Sequence, residues 1–225
     1  MDKFIRRDIL LTKTQIETIE KAKIAIFGVG GVGGYTLEAL VRMGVKDFII
    51  CDGDSFVDSN LNRQILSTSN TIGRNKAEVA KERALLINED VNIQVCPFFI
   101  NQYSIKDINL NGYFIVDAID DVVNKVLLIK YAIEHGNKII SMMGAGNRIA
   151  ATFEKTDIYK TTNDPLAKKM RSILKKEGIK KLNVIYSKDL PQTTESKEVG
   201  SISYVVGKAG LTLAEEVIKE ILNIW

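Results

Sequence analysis

Three glycines, Gly28, Gly30 and Gly33, stand in the order G-x-G-x-x-G inside the run GVGGVGG, which also holds Gly31. Glycines at that spacing let the chain turn sharply and let a pyrophosphate approach backbone amides at a helix N-terminus. Asp52 follows 24 residues after Gly28, near the spacing of about 20 at which an acid meets a ribose hydroxyl. A nicotinamide or flavin dinucleotide would account for these residues alone. The next segment, DGDSFVDSNLNRQ, adds Asp54, Asn60, Asn62, Arg63 and Gln64, and Lys76 comes soon after. Hydride transfer has no use for an arginine and a lysine converging there. A nucleoside triphosphate does, because its β- and γ-phosphates need cationic neutralisation during adenylyl transfer. Asp120, at the end of YFIVDAID, is placed to hold Mg²⁺ on those phosphates or to order the nucleotide. Singly, Asp54, Asn60 and Asn62 read as turn formers and Lys76 as a solvated helix residue; the nucleotide reading rests on the ordered set.

The elements needed to position this set are legible. KIAIF (23–27) is a short apolar strand ahead of the glycines, YTLEALVRM a helix stopped by Gly44, and DFIIC (47–51) a second strand. Strand, glycine turn, helix and strand make a βαβ unit with parallel strands and a right-handed crossover. Before it, Thr14 and Glu17 have capping-box spacing for a helix through about residue 22. Beyond the polar stretch 52–71, the sequence predicts a helix over NKAEVAKERALLIN, a strand over VNIQVCPFF closed by Pro97, a strand over 113–120, a helix over 121–135 and a strand over 138–143. Such alternation implies a doubly wound, Rossmann-like α/β fold with a mostly parallel sheet. Residues 1–147 form its nucleotide-binding core and 148–225 a smaller C-terminal extension: an extended stretch, a helix opened by Asp164-Pro165 and closed by Gly178, the strand LNVIY, a polar loop read as mobile, and a last helix over about 207–222.

Composition narrows the field. Over 225 residues, 45% are apolar and 26% charged, with a net charge of +3, values of a globular protein rather than a disordered or collagen-like one. No apolar run approaches the roughly 20 residues of a membrane span, and the N-terminus lacks a secretory pattern, so the expectation is a cytoplasmic protein with no membrane partner. Two cysteines, Cys51 and Cys96, and one histidine, His135, cannot build a tetrahedral zinc site. Both cysteines read as small buried hydrophobes, and His135, ahead of Gly136, as a helix C-terminal residue.

The segments GVGGVG, CDGDSFVDSNLNRQ, GRNKAEVA and DAIDD resemble the E1-like adenylating superfamily. The resemblance implies that the glycine turn holds ATP and that Asp52 binds its ribose. It further implies that Asn60, Arg63 and Lys76 contact phosphates, that Asp120 supports Mg²⁺ and the α-phosphate, and that an N-terminal arginine, Arg6 or else Arg7, completes the site of a partner subunit in a homodimer. Most carrier-protein activators of that superfamily have two CxxC pairs around zinc and many have a cysteine nucleophile; neither CxxC pair is present here. The second half, from SMMGAGNRIAATFEKTDIYK onward, resembles the tRNA threonylcarbamoyladenosine dehydratases, through MGAG and through Asp157, Lys160, Thr161, Asp164, Pro165, Ala167 and Arg171. That branch implies adenylation of a substrate carboxylate on tRNA, followed by closure onto the substrate's own nitrogen, with no enzyme thiol. The alternative within the superfamily is activation of a small sulfur-carrier protein, and a sulfur-relay protein is a further partner that the resemblance allows. Residues 166–181 fit a tRNA: Lys168, Lys169, Arg171, Lys175, Lys176, Lys180 and Lys181 stand there against Glu177 alone. A solvated lysine face is the other reading of that cluster, and Tyr159 reads either as a base-stacking residue or as a core residue.

Overall fold

A computed structural model describes residues 3–224. The chain begins with α1 (Ile5–Asp8) and α2 (Lys13–Glu20), then runs through β1 (Lys23–Phe27), α3 (Gly33–Arg42), β2 (Asp47–Cys51), α4 (Lys76–Ile87) and β3 (Asn92–Cys96). After β4 (Phe114–Asp117), α5 (Val122–Glu134) and β5 (Ile139–Met142) come β6 (Glu154–Asp157), α6 (Pro165–Lys176), β7 (Asn183–Tyr186) and α7 (Ser203–Leu222). The strands form one sheet in the order β3-β2-β1-β4-β5-β7-β6, parallel except for β6, which runs antiparallel to β7. The doubly wound α/β expectation is met, and the strand order reverses between β1 and β4, where open α/β sheets bind ligands outside the strand C-termini.

Alternate residues of the central strands feed opposite cores. Ile24 and Ile26 of β1, with Phe48 and Ile50 of β2, join α3, α4 and α7 on one face. Ala25, Phe27, Ile49 and Cys51 join Ile100, Ile105 and Leu128 on the other. Burial on both faces is why these strands read as unbroken apolar runs.

Three boundaries differ from expectation, each for a local reason. The first capping box is Thr12 with Gln15, not Thr14 with Glu17: the Gln15 amide donates to Thr12 Oγ1 at 3.3 Å and the Thr12 amide to Gln15 Oε1 at 2.9 Å. β4 stops at Asp117 rather than 120, because the Asp117 carboxylate accepts the Ile119 amide at 3.1 Å and turns the chain. α7 starts at Ser203 rather than 207. Its interior Gly207 and Gly210 are packing positions, since a Cβ at Gly210 would lie 2.5 Å from the Val32 carbonyl oxygen of the segment leading into α3.

Candidate active site

A cavity of about 480 Å³ opens where the C-terminal ends of β1, β2, β4 and β5 converge, within the size range of small-molecule sites. Gly28, Gly30, Gly31, Asp52, Asp54, Arg63, Gln64, Lys76 and Asp120 all line it, although they come from four separate stretches of chain. Gly33, Asn60 and Arg6 do not.

The floor is the glycine turn. Gly28 has a φ of 87°, and its amide donates to the Cys51 carbonyl at 2.8 Å, which ties the turn to β2. Gly33 has a packing role instead: a Cβ there would sit 1.9 Å from the Gly28 carbonyl oxygen. Asp52 accepts from the Val29 amide in the turn at 2.8 Å and from the Asp54 amide at 2.9 Å. Burial pushes its carboxyl above the usual range, and those two amides and the nearby Lys76 only partly offset that. The acid thereby fixes the geometry between the first two strands while still bordering the cavity.

Lys76, the first residue of α4, is buried and pairs with Asp54 at 2.9 Å. Asn75 caps the same helix, accepting from the Ala77 and Glu78 amides, and donates to the Asp52 and Asp54 carbonyls at 3.2 Å each. Asn75 was not singled out from the sequence; the signal was there, a capping residue directly before a lysine. Arg63 is half-buried, with Nη1 donating to the Ser59 carbonyl at 2.6 Å and to Asn62 Oδ1 at 3.0 Å. Gln64 is buried beside Gly30, and its Oε1 has no partner among the described residues. Asn60 is buried and accepts the Val57 amide at 3.2 Å, a turn-forming position. Asp120 is exposed on the cavity wall with no ion pair or hydrogen bond among the described residues.

Other walls were not foreseen. Phe98, Phe99 and Ile100 supply an apolar side. Val199 and Ser201 belong to the loop expected to be mobile, which lies across the rim. Asn147, at a φ of 55°, holds this loop: its amide donates to the Gly200 carbonyl, its carbonyl accepts the Gln192 amide and its Oδ1 the Gly200 amide. Its side is reinforced by Asn62, which donates to the Ser201 carbonyl at 2.9 Å. Distant contacts of this kind, between segments far apart in sequence, leave no local pattern.

Cys51 and Cys96 are buried register partners on β2 and β3. Hydrogen bonding to Cys96, with burial, drives the Cys51 thiol far above its ordinary range, which suits a packed side chain rather than a thiolate nucleophile. His135 ends α5 and stacks on Tyr131 at 3.9 Å, away from the cavity.

α6 starts at the cavity rim, where Leu166 contributes to the lining and Asp164 caps the helix while accepting the Gly144 amide at 2.9 Å. Ala167, Met170 and Leu174 are buried, and Lys168, Lys169, Lys175 and Lys176 are exposed. Arg171 departs from this pattern: its Nη1 donates to both the carbonyl and the hydroxyl of Thr161, so it braces the 157–161 turn. Tyr159 likewise donates its hydroxyl to the Ile179 carbonyl. At the N-terminus Arg7 is held by Asp8 at 2.6 Å, Glu20 at 3.3 Å and the Met43 carbonyl at 2.7 Å, whereas Arg6 is exposed without an ion pair among the described residues.

The arrangement can take a polyanionic nucleotide: turn amides below, the buried acid Asp52 beside them, and two cations, Arg63 and Lys76, lining the same space as Asp120. Comparison with known proteins agrees. The chain is 32% identical to the tRNA threonylcarbamoyladenosine dehydratase of Bacillus subtilis, over 99% of this chain and 96% of that protein. It is 36% identical to the enzyme of that name from Haemophilus influenzae, over 75% of this chain and 65% of the relative. In structure it superposes on the E. coli tRNA N6-threonylcarbamoyladenosine dehydratase in complex with AMP with a TM-score of 0.93 at 29% identity, covering 98% of this chain and 94% of the other. The ThiF family model matches residues 5–224, and the chain belongs to the ThiF family.

Proposed function

We propose that this protein is an ATP-dependent tRNA threonylcarbamoyladenosine dehydratase. In this reading the carboxylate of N6-threonylcarbamoyladenosine at tRNA position 37 attacks the α-phosphorus of ATP, and pyrophosphate leaves. The substrate's ureido nitrogen then attacks the acyl carbon, a hydantoin ring closes and AMP departs with the former carboxylate oxygen. The base loses one water in total. The observation that carries the reading is one cavity that joins the phosphate turn, Arg63, Lys76 and Asp120 to the start of a lysine-faced helix.

Within that cavity the residues divide the work. Amides of the 28–33 turn and the Lys76 ammonium oppose phosphate charge, which counts for more as charge builds on the departing pyrophosphate. Arg63 borders the same space, half-buried, and its Nη2, which has no partner among the described residues, would reach an oxygen anion. Mg²⁺ fits here as an ion held largely by phosphates: it ordinarily keeps several waters and binds through one or two carboxylates, and Asp120 is a carboxylate lining the cavity with no partner among the described residues. When bound, the ion would neutralise phosphate charge. The cyclisation step needs no enzyme nucleophile, because an internal nitrogen held near the acyl carbon has a large effective concentration; this accords with cysteines that are packed away.

For tRNA, Lys168, Lys169, Lys175 and Lys176 supply a row of backbone-phosphate contacts leading to the rim. A second copy of the chain, in a homodimer, would offer Arg6, which is exposed where Arg7 is tied down. No described helix is long and apolar enough to cross a membrane, and a cytoplasmic site of action follows from the tRNA substrate. The test is AMP and pyrophosphate formation from ATP. The reading expects both to require tRNA bearing threonylcarbamoyladenosine; equal formation with unmodified tRNA, or formation triggered by a Gly-Gly carrier tail instead, would refute it.

A further inference from the structure

Beneath Asp120 lies a charge pair that the nucleotide site does not touch. Lys125, on α5, and Asp117, the last residue of β4, are both fully buried, with Lys125 Nζ 2.9 Å from Asp117 Oδ2. Lysine on the core-facing stripe of a helix, among Leu128, Ile129 and Ala132, is unusual. A pair this deep is commonly no more stabilising than apolar residues of the same volume, because two ions must be stripped of water. Stability of the fold is therefore a poor account of it.

Its geometry suggests a different one. Lys125 Nζ also donates to the Ile119 carbonyl at 2.9 Å, and Asp117 Oδ1 accepts the Ile119 amide at 3.1 Å. Both backbone groups of the residue before Asp120 are thus held by one ion pair. Ser141 of β5 donates its hydroxyl to the other Asp117 oxygen, fixing the carboxylate from the neighbouring strand. From the far side the Ala118 amide donates to the Phe27 carbonyl at 2.9 Å, and a Cβ at Gly28 would lie 2.8 Å from the Ala118 carbonyl oxygen, so the two turns are closely packed. The knot links the acid turn to the phosphate turn, while the Asp120 side chain has no partner among the described residues, so the backbone of this turn places it.

We propose that Lys125, with Asp117 and Ser141, is a positioning residue for adenylation, which holds the 118–120 turn so that the Asp120 carboxylate faces the phosphates. This rests on the function proposed above, in which Asp120 works on ATP. Released from the knot, the turn drifts, and displacement of a reacting group by about 1 Å costs up to about 100-fold in rate.

The experiment measures single-turnover AMP formation, with threonylcarbamoyl-modified tRNA and varied ATP, for wild type, Lys125→Met, Ser141→Ala, Asp120→Ala and each of the first two combined with Asp120→Ala. Lys125→Met keeps the length of the side chain and removes its charge. The expected result is a rate constant lowered about 10- to 100-fold with the KM for ATP unchanged, and no further loss when Lys125→Met is added to Asp120→Ala. Ser141→Ala, which leaves the ion pair in place, falls in the same direction by less and is also silent in the Asp120→Ala background; it decides the matter if circular dichroism shows Lys125→Met to be unfolded. Wild-type rates in both, or an equal loss with and without Asp120, would reduce the knot to a structural role. A wild-type rate for Asp120→Ala alone would instead overturn the reading of Asp120 itself.

Discussion

Replacing Gly33 by alanine would put a methyl carbon 1.9 Å from the Gly28 carbonyl oxygen and 3.3 Å from Ala118 Cβ. Contacts under 3.0 Å do not occur at real Cβ atoms, so the phosphate turn has to open by about 1 Å. The obstructing atom is backbone, which cannot rotate aside. Overpacking of this kind costs about 1–3 kcal/mol, with a rigid contact at the upper end; the helix propensity of alanine over glycine returns at most about 1 kcal/mol. The net loss is about 2 kcal/mol, and at 2–4 °C per kcal/mol for a chain of this size the Tm should fall by roughly 4–8 °C. Gly31→Ala is the matched control. Its Cβ would meet Val206 Cγ2 at 3.5 Å, an ordinary van der Waals contact, and the Tm should stay at the wild-type value. Thermal unfolding of the three proteins, with and without ATP, makes the comparison, and Gly33→Ala should also lose most of the stabilisation that ATP confers. A Gly33→Ala protein as stable as wild type and Gly31→Ala would refute the packing argument.

Lys76→Met should separate chemistry from stability. Its partner Asp54 is more than half exposed, with 55% of the side chain accessible, so losing the pair costs less than about 1 kcal/mol, while AMP formation falls about 100- to 1000-fold; unfolding and rate are measured on the same preparation, and a wild-type rate would contradict it. Asp52 gives a pH signature. Because burial raises its folded pKa, its contribution to stability is present at low pH and lost as pH rises through that value, so acidification does not unfold the protein through this group. ATP binding has the opposite sign, since the protonated acid is a poorer acceptor: calorimetry should show affinity declining at a pH where an ordinary aspartate is still ionised, and Asp52→Asn should flatten that profile. Converting Lys168, Lys169, Lys175 and Lys176 to alanine should weaken tRNA binding and reduce its salt dependence, by a slope of up to about 0.9 for each duplex phosphate contact removed, with ATP affinity unchanged in the same preparations.

The parts of this molecule that were legible in the sequence are those governed by local rules. Gly28 and Gly33 announce a turn because a Cβ at either would strike a backbone carbonyl oxygen, and β1 and β2 announce themselves because burial on both faces requires apolar residues without interruption. The ordered run Asp52, Arg63, Gln64, Lys76 was readable as a set because these polar and charged residues follow closely on one glycine turn, and they do line one cavity. What was missed depends on contacts between distant segments. Asp117 reads as one more acid in DAID until β4 is seen to end there, and Lys125 as one more helix lysine until its stripe is seen to be buried. Gly207 and Gly210 read as breakers because a sequence does not show that α3 lies against them. Asn60 accepts the Val57 amide and Arg171 donates to Thr161, contacts with neighbouring groups that their places in the sequence do not announce.

The central claim is that this protein removes water from a modified tRNA base at the expense of ATP. Mass spectrometry of nucleosides from tRNA incubated with the protein and ATP tests it most directly. The account predicts that the threonylcarbamoyladenosine peak is replaced by one lighter by a single water, with ATP required and one AMP formed per base converted. An unchanged nucleoside mass in a folded, ATP-binding preparation would contradict it.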